Sequence, residues 1–424
     1  MRKLIVIVVV ALVVLSGSGF YVYKINCMST TYENKEIKNN SNMLSMMLET
    51  SAGSGEYQKT SASAWPTEGY VFNESLSKCE KGSSLSWDST KNTVVMMGNN
   101  SDKCYVYFDV YVPPSIADYC NNGDNLASCI KTFGNQGSEI SNIYIHNASL
   151  TNGAKDNSYR YAGSSETTNN YVCFGYDSTD GSCPNDNLYR IIGVFDGEVK
   201  LIKYDYAKST LLGTDGDYYR TYQAAGYGGT NKGQNSQAEI GGYYWNRNGT
   251  NTWSESQLNK VNLNKNYINK IDEDGTKWSE KISDHTWKVG GNTDSKIYSQ
   301  TASNAYQNEI NSPATNKTVN AKVGLMYVSD YGYAASSSAW STALSSYNNA
   351  NITANNWMYM GLYEWTLAPR ADGSNSAFRV RNGGNVTYSS VHNTAFGVRP
   401  VLYLKSTIGY VSGSGTISSP ILIN

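Results

Sequence analysis

The chain holds three histidines, His146, His285 and His392. No two of them stand in the His-x-x-x-His or His-Glu-x-x-His spacing that sets two imidazoles on one helix face for zinc. There is no Gly-x-Ser-x-Gly elbow and no Gly-x-x-x-x-Gly-Lys loop, so neither an activated serine nor a phosphate cradle is encoded. Carboxylates cluster at Asp215 and Asp217 and at Asp272-Glu273-Asp274-Gly275. A glycosidase needs two carboxylates at a defined separation, and a calcium loop needs more oxygen ligands and a distal Glu. Both clusters read as solvated turns. No cofactor is called for, and catalysis is not expected.

The cysteines speak of compartment rather than catalysis. There are seven: Cys27, Cys79, Cys104, Cys120, Cys129, Cys173 and Cys183. Six fall into sequential pairs, 79/104, 120/129 and 173/183, and are expected to be disulfides formed in an oxidising compartment. Each would contribute typically about 2–4 kcal/mol. Six buried thiols are the alternative. Cys27 is left over, free or bridging two chains. The N-terminus agrees with export. Met1-Arg2-Lys3 is basic, Leu4–Leu15 is unbroken apolar sequence, and Ser16-Gly17-Ser18-Gly19 then leads to Phe20-Tyr21-Val22-Tyr23. A cleaved signal peptide fits the short apolar run and the small residues. An uncleaved membrane helix over Leu4–Tyr23 fits a bilayer's thickness and is the favoured reading. Either way the bulk of the chain is extracellular. Cys27 follows Lys-Ile-Asn, which does not suit lipid attachment.

Recognition is the chemistry that composition favours. Only 16% of the 424 residues are charged, the net charge is −1, and Tyr alone occurs 35 times. Such a surface cannot track phosphates, so nucleic acid is excluded as a partner. Tyrosine gives rigid contact area at low entropy cost, while Ser, Gly and Asn give adaptable hydrogen bonds. Two stretches stand out. One carries Tyr218, Tyr219, Tyr222, Tyr227, Tyr243, Tyr244 and Trp245; the other is Asn385–Thr394 with Tyr388, His392 and Asn393.

The elements that must hold these loops are mostly strands, in five segments. Residues 1–24 are a signal-anchor and 25–50 a polar stalk, ending in a helix-like patch at Met43–Leu48. Residues 51–112 are a small all-β module, closed by Pro113-Pro114. Residues 113–186 are a disulfide-containing connector with a helix over Ile116–Phe133. Residues 187–424 are the α+β domain. Asp196-Gly197 between two apolar runs is a type I′ hairpin signal. Ser254 and Gln257 suggest a capping box. Val323–Val328 and Trp357–Leu362 read as buried strands, and Gly383-Gly384 as a hairpin turn.

Glu364-Trp365-Thr366, the Arg379/Arg381 pair, Gly383-Gly384 and Gly397-Val398-Arg399-Pro400 give the C-terminal part a likeness. It resembles the C-type-lectin-like fold, in its formylglycine-generating-enzyme-like branch. The wider stretch 171–424 is similar to repeats in exported proteins of gut Gram-positive bacteria. The resemblance implies an irregular antiparallel sheet with long loops. It implies no oxidase activity, because those members use two active-site cysteines and this chain has none after Cys183. Arg399 is expected to fork onto Glu364 or buried carbonyls. Along Val386–Val391, Val386 and Tyr388 share one face and Thr387, Ser389 and Val391 the other. Trp365, Arg381, Asn385, Tyr388, His392 and Asn393 are expected to line a shallow ligand site. The expected function is cell-surface binding of an extracellular glycan or protein, adhesin- or lectin-like and without catalysis. A structural envelope or stalk protein and a degenerate enzyme are the alternatives.

Overall fold

The computed structural model describes residues 11–16 and 19–24 by their backbone, and 44–424 apart from 63, 67, 99–101, 179–180 and 294–299. Most of the stalk and the start of the expected membrane helix lie outside the described residues. Within them, Ala11–Ser16 (β1) and Gly19–Lys24 (β2) pair as antiparallel strands rather than continuing a helix. Among the described residues no helix is long and apolar enough to cross a membrane.

The chain divides into two units, Met1–Pro113 and Pro114–Asn424. In the first, the apolar patch before Thr50 is a strand, not a helix. Leu44–Glu49 (β3) pairs in parallel with Cys104–Val110 (β8), and antiparallel with Tyr57–Lys59 (β4). Tyr70–Cys79 (β5) closes the sheet on the other side of β8, with Cys79 opposite Cys104 and joined to it by a disulfide. Ser84–Asp88 (β6) and Thr93–Met97 (β7) form a separate hairpin. Met46, Leu85, Val106 and Phe108 are buried between them.

The second unit is α+β, built on a mainly antiparallel architecture. Its central sheet joins Ile143–Ile145 (β9), Tyr159–Tyr161 (β10), Tyr171–Cys173 (β11), Leu188–Phe195 (β12) and Glu198–Lys203 (β13) to later strands. Residues 113–186 are therefore not a connector: β9, β10 and β11 belong to the same sheet as β12, and Leu126–Gly134 packs its apolar side into the same core. The expected long helix is two pieces, a turn at Ile116–Asp118 and this helix, whose N-cap Asn125 accepts from Ser128 N–H. The Asp196-Gly197 turn has φ of 50° and 87°, as a type I′ hairpin requires. Cys120–Cys129 and Cys173–Cys183 are both disulfides.

Farther along, Tyr218–Thr221 (β14) pairs with Gly241–Tyr243 (β15). No capping box forms at Ser254; Trp253–Glu255 is a single turn, and the following helix runs over Leu258–Tyr267 and Ile268–Ile271. His285–Lys288 (β16) pairs with Thr318–Ala321 (β17). Val323–Gly324 (β18) joins the central sheet for two residues only, because Val328 already begins the helix Val328–Tyr333. Trp357–Leu362 is buried but not extended; Trp357 Nε1 instead donates to the Tyr161 carbonyl at 2.9 Å. Glu364–Pro369 (β19), Ser376–Val380 (β20) and Val386–Ser390 (β21) make a three-stranded sheet. Val401–Leu404 (β22) lies between β18 and β13 in the central one. Tyr410–Ser412 (β23) and Leu422–Ile423 (β24) finish the chain.

Charge is also buried in this unit, and it is paired. Lys200 Nζ lies 2.6 Å from Asp330 Oδ2, Arg160 reaches Asp156 at 2.6 Å, and Asp330 also accepts from the Tyr327 N–H at its helix start. Lys200, and Arg160 through a further contact of 3.7 Å to Asp330 Oδ1, tie β13 and β10 to the Val328–Tyr333 helix, and the carboxylates offset the desolvation that a lone interior cation would suffer.

Candidate functional site

Two loops far apart in sequence are brought together by backbone hydrogen bonds. Tyr243 and Phe396 exchange both main-chain bonds, at 2.9 and 3.0 Å, and Asn246 N donates to Val391 O at 3.1 Å. The segment after β21 is thereby laid along the segment after β15. It carries His392 onto Gly249, where φ is +82° and an added Cβ would sit 3.4 Å from the imidazole Nδ1.

A buried carboxylate braces the other side. Asp217 is fully buried; its Oδ1 accepts from Arg247 N at 2.8 Å and its Oδ2 from Leu258 N at 2.7 Å. Burial holds its carboxyl above the usual range, against the pull of those amides. One side chain thus fixes the loop at 246–247 and the start of the following helix. Arg247 is held in turn: its guanidinium donates to the Tyr218 carbonyl and lies 5.6 Å from the Tyr244 ring centre. The Tyr219 and Tyr244 rings are 5.0 Å apart and tilted by 42°, and Tyr219 is 44% exposed.

The result is an open groove of about 630 Å³ lined by Asp215, Tyr218, Tyr219, Tyr244, Arg247 and His392, among others. Phenol faces offer an apolar platform, and the hydroxyls, carboxylate, guanidinium and imidazole ring it with donors and acceptors. A sugar ring asks for that combination, since it has an apolar C–H face and a polar edge.

Of the six residues expected to line a ligand site, only His392 lines this groove. Trp365 is a core residue: it is fully buried, and its Nε1 donates to the Tyr243 carbonyl at 2.8 Å. Tyr388 is half-buried against the core with Arg370 4.3 Å over its ring. Arg381 and Asn385 belong to the turn between β20 and β21, closed by Arg381 N donating to Asn385 O at 2.9 Å. The length of β21, roughly 17 Å at strand rise, separates that turn from His392. Asn393 is exposed next to His392. The two recognition stretches therefore supply one site jointly, with His392 from the second and the tyrosines from the first. Not all of the tyrosines serve: Tyr222, Tyr243 and Trp245 are buried, and Trp245 Nε1 donates to Thr366 O at 3.0 Å. Sequence reasoning passed over Arg247; its one signal was a cation inside a Tyr-rich stretch of low charge.

The acidic clusters are accounted for. Asp217 departs from the expected solvated turn, being fully buried on the Arg247 and Leu258 amides, while Asp215 is exposed and accepts from Asn266 Nδ2 at 2.6 Å, so the two do not act as a matched pair. Asp272 accepts from Ser279 and Asp274 from Thr276, each through a backbone and a hydroxyl donor, and Glu273 pairs with Lys270. Arg399 meets Glu364 with two parallel bonds of 2.8 and 2.9 Å, the structural role expected of it. Arg379 is packed between Tyr363 and Phe396, 4.5 and 4.8 Å from their ring centres.

No family model, curated protein or solved structure matches the chain.

Proposed function

We propose that the chain is an exported, membrane-anchored surface protein whose larger unit, a C-type-lectin-like module, binds an extracellular glycan without catalysis at the groove over Tyr219 and Tyr244. The supporting observation is the convergence of His392 and Arg247 on that tyrosine platform, held in place by buried groups that do not themselves contact a ligand. The anchor reading rests on the basic start and apolar run of the sequence.

Full-length protein in detergent, applied to a glycan array, tests the binding. Tyr219→Ala combined with His392→Ala should abolish the array signal. Stability should move by no more than about 0.5 kcal/mol for the exposed Tyr219 and by about 1 kcal/mol for the half-buried His392. A folded double variant that binds as the parent does overturns the groove as the site. Failure of the parent to bind any glycan overturns the ligand class.

A further inference from the structure

A second cavity, of about 220 Å³, opens among Asp186, Tyr189, Lys203, Lys208, Leu211 and Lys270, beside the loop that the Cys173–Cys183 disulfide closes. It is built differently from the tyrosine groove. Lys203, the last residue of β13, is 1% exposed, and among the described residues its ammonium has one hydrogen-bond partner, the Asp186 carbonyl at 2.8 Å. An ammonium offers three donors. Among the described residues Lys203 forms no ion pair, unlike the buried Lys200 three residues earlier on the same strand, which has Asp330. A desolvated cation without a counter-ion is costly. Burial duly lowers the Lys203 ammonium to about 8, with Asp186 and Asp205 only partly opposing it. At the rim, Lys208 pairs with Asp186 and Glu239, and Lys270 with Glu273, in surface ion pairs worth little. Exchanging so weak a partner for an anion costs either lysine little.

We infer that this cavity is a binding site for a small oxyanion-bearing molecule, with the acid group on the Lys203 ammonium and Lys208 and Lys270 closing over it. The volume is below the roughly 300–1,000 Å³ of pockets for drug-sized ligands, so the occupant is an acid group on a single ring or less. A carboxylate sugar and a free phosphate share this chemistry. The inference does not depend on glycan binding at the tyrosine groove.

The test is titration of the full-length protein with glucuronate, inorganic phosphate and neutral glucose, following the lysine ε-carbons by NMR. At least one of the two anions should saturate and move the Lys203 titration upward by about one unit or more, because a bound anion favours the charged form; glucose should not. Whichever anion acts identifies the source. Lys203→Met should melt no lower than the parent, since it removes a buried charge that has no carboxylate partner among the described residues, and should weaken anion binding at least about tenfold. Should that variant fail to fold, Lys208→Gln with Lys270→Gln at the rim must still weaken binding, by roughly threefold or more. Tyr219→Ala should leave it unchanged, which separates this site from the groove. The inference falls if neither anion shifts Lys203, if glucose does so equally, or if the folded lysine variants bind as the parent does.

Discussion

Glu364 and Arg399 are 2% and 1% exposed, and each is the other's only charge partner among the ion pairs of the described residues. Arg399 also donates to Met358 O at 2.8 Å. Removing one member strands the other in a medium that does not solvate it. Glu364→Gln should therefore cost about 3–5 kcal/mol in urea unfolding; a loss below 1 kcal/mol would show that the site relaxes or hydrates, contrary to this account. His285 gives the fold a pH dependence of definite sign. It stacks on Tyr403 at 3.8 Å between ring centres, and burial, then the nearby Lys200, lowers its pKa to about 4. Glu198 at 3.8 Å does not reverse that direction. A histidine lowered in the fold is neutral there but takes a proton when unfolded below about 6.5. Its contribution is thus complete above that pH and is lost as pH falls toward 4, by roughly 3 kcal/mol for such a shift. Glu309, raised to about 7 mainly by burial, works the other way, losing stability as pH rises from 4.5 to 7. The contrast isolates the histidine: His285→Phe should be more resistant to acid than the parent between pH 6.5 and 4, with the two converging in relative slope above it. Equal acid sensitivity of the two would remove His285 from the explanation.

At the scale of elements, legibility followed how local the cause is. The β12–β13 hairpin was readable because Asp196 and Gly197 both need positive φ, a property of two adjacent residues. The three disulfides were readable because each pair closes a short loop. Short apolar runs were not. Leu44–Leu48 is too brief for period 2 and period 3.6 to differ, and its parallel pairing with β8 decided for a strand. Trp357–Leu362 has a strand's composition, but Trp357 and Arg399 take its surroundings for their own hydrogen bonds, to Tyr161 O and Met358 O. The candidate site was half legible. Exposed aromatics and His392 carry a compositional signal. Which of them meet is set by pairings such as Asn246 with Val391 and Tyr243 with Phe396, which leave no local pattern. Trp365 illustrates the converse error: a tryptophan beside a charged residue looked like a contact residue, when its indole N–H and the carboxylate of Glu364 were both committed to the interior.

For the molecule as a whole, the two units differ in how they are stabilised. The first unit's fully buried core is Met46, Leu85, Val106 and Phe108 around Cys104, and the residues packed on it, such as Trp65, Phe72 and Trp87, stay partly exposed. A core of that size supplies little beyond the conformational entropy it must offset. Its Cys79–Cys104 bridge spans a sequence separation of 25, which on chain-entropy grounds contributes about 3–4 kcal/mol, a large part of any small module's stability. The second unit's bridges span separations of only 9 and 10, worth about 2–3 kcal/mol each, against a continuous interior that includes Trp245, Trp287, Trp357 and Trp365. Reduction should therefore separate the two. In calorimetry of the oxidised protein two transitions are expected. Adding reductant should abolish the one whose loss coincides with exchange of the β3 and β8 amides, and should lower the other by roughly 10 °C or less. Loss of both together on reduction would mean that the larger unit also leans on its bridges. Persistence of both would mean that the β-module's apolar contacts suffice without Cys79–Cys104.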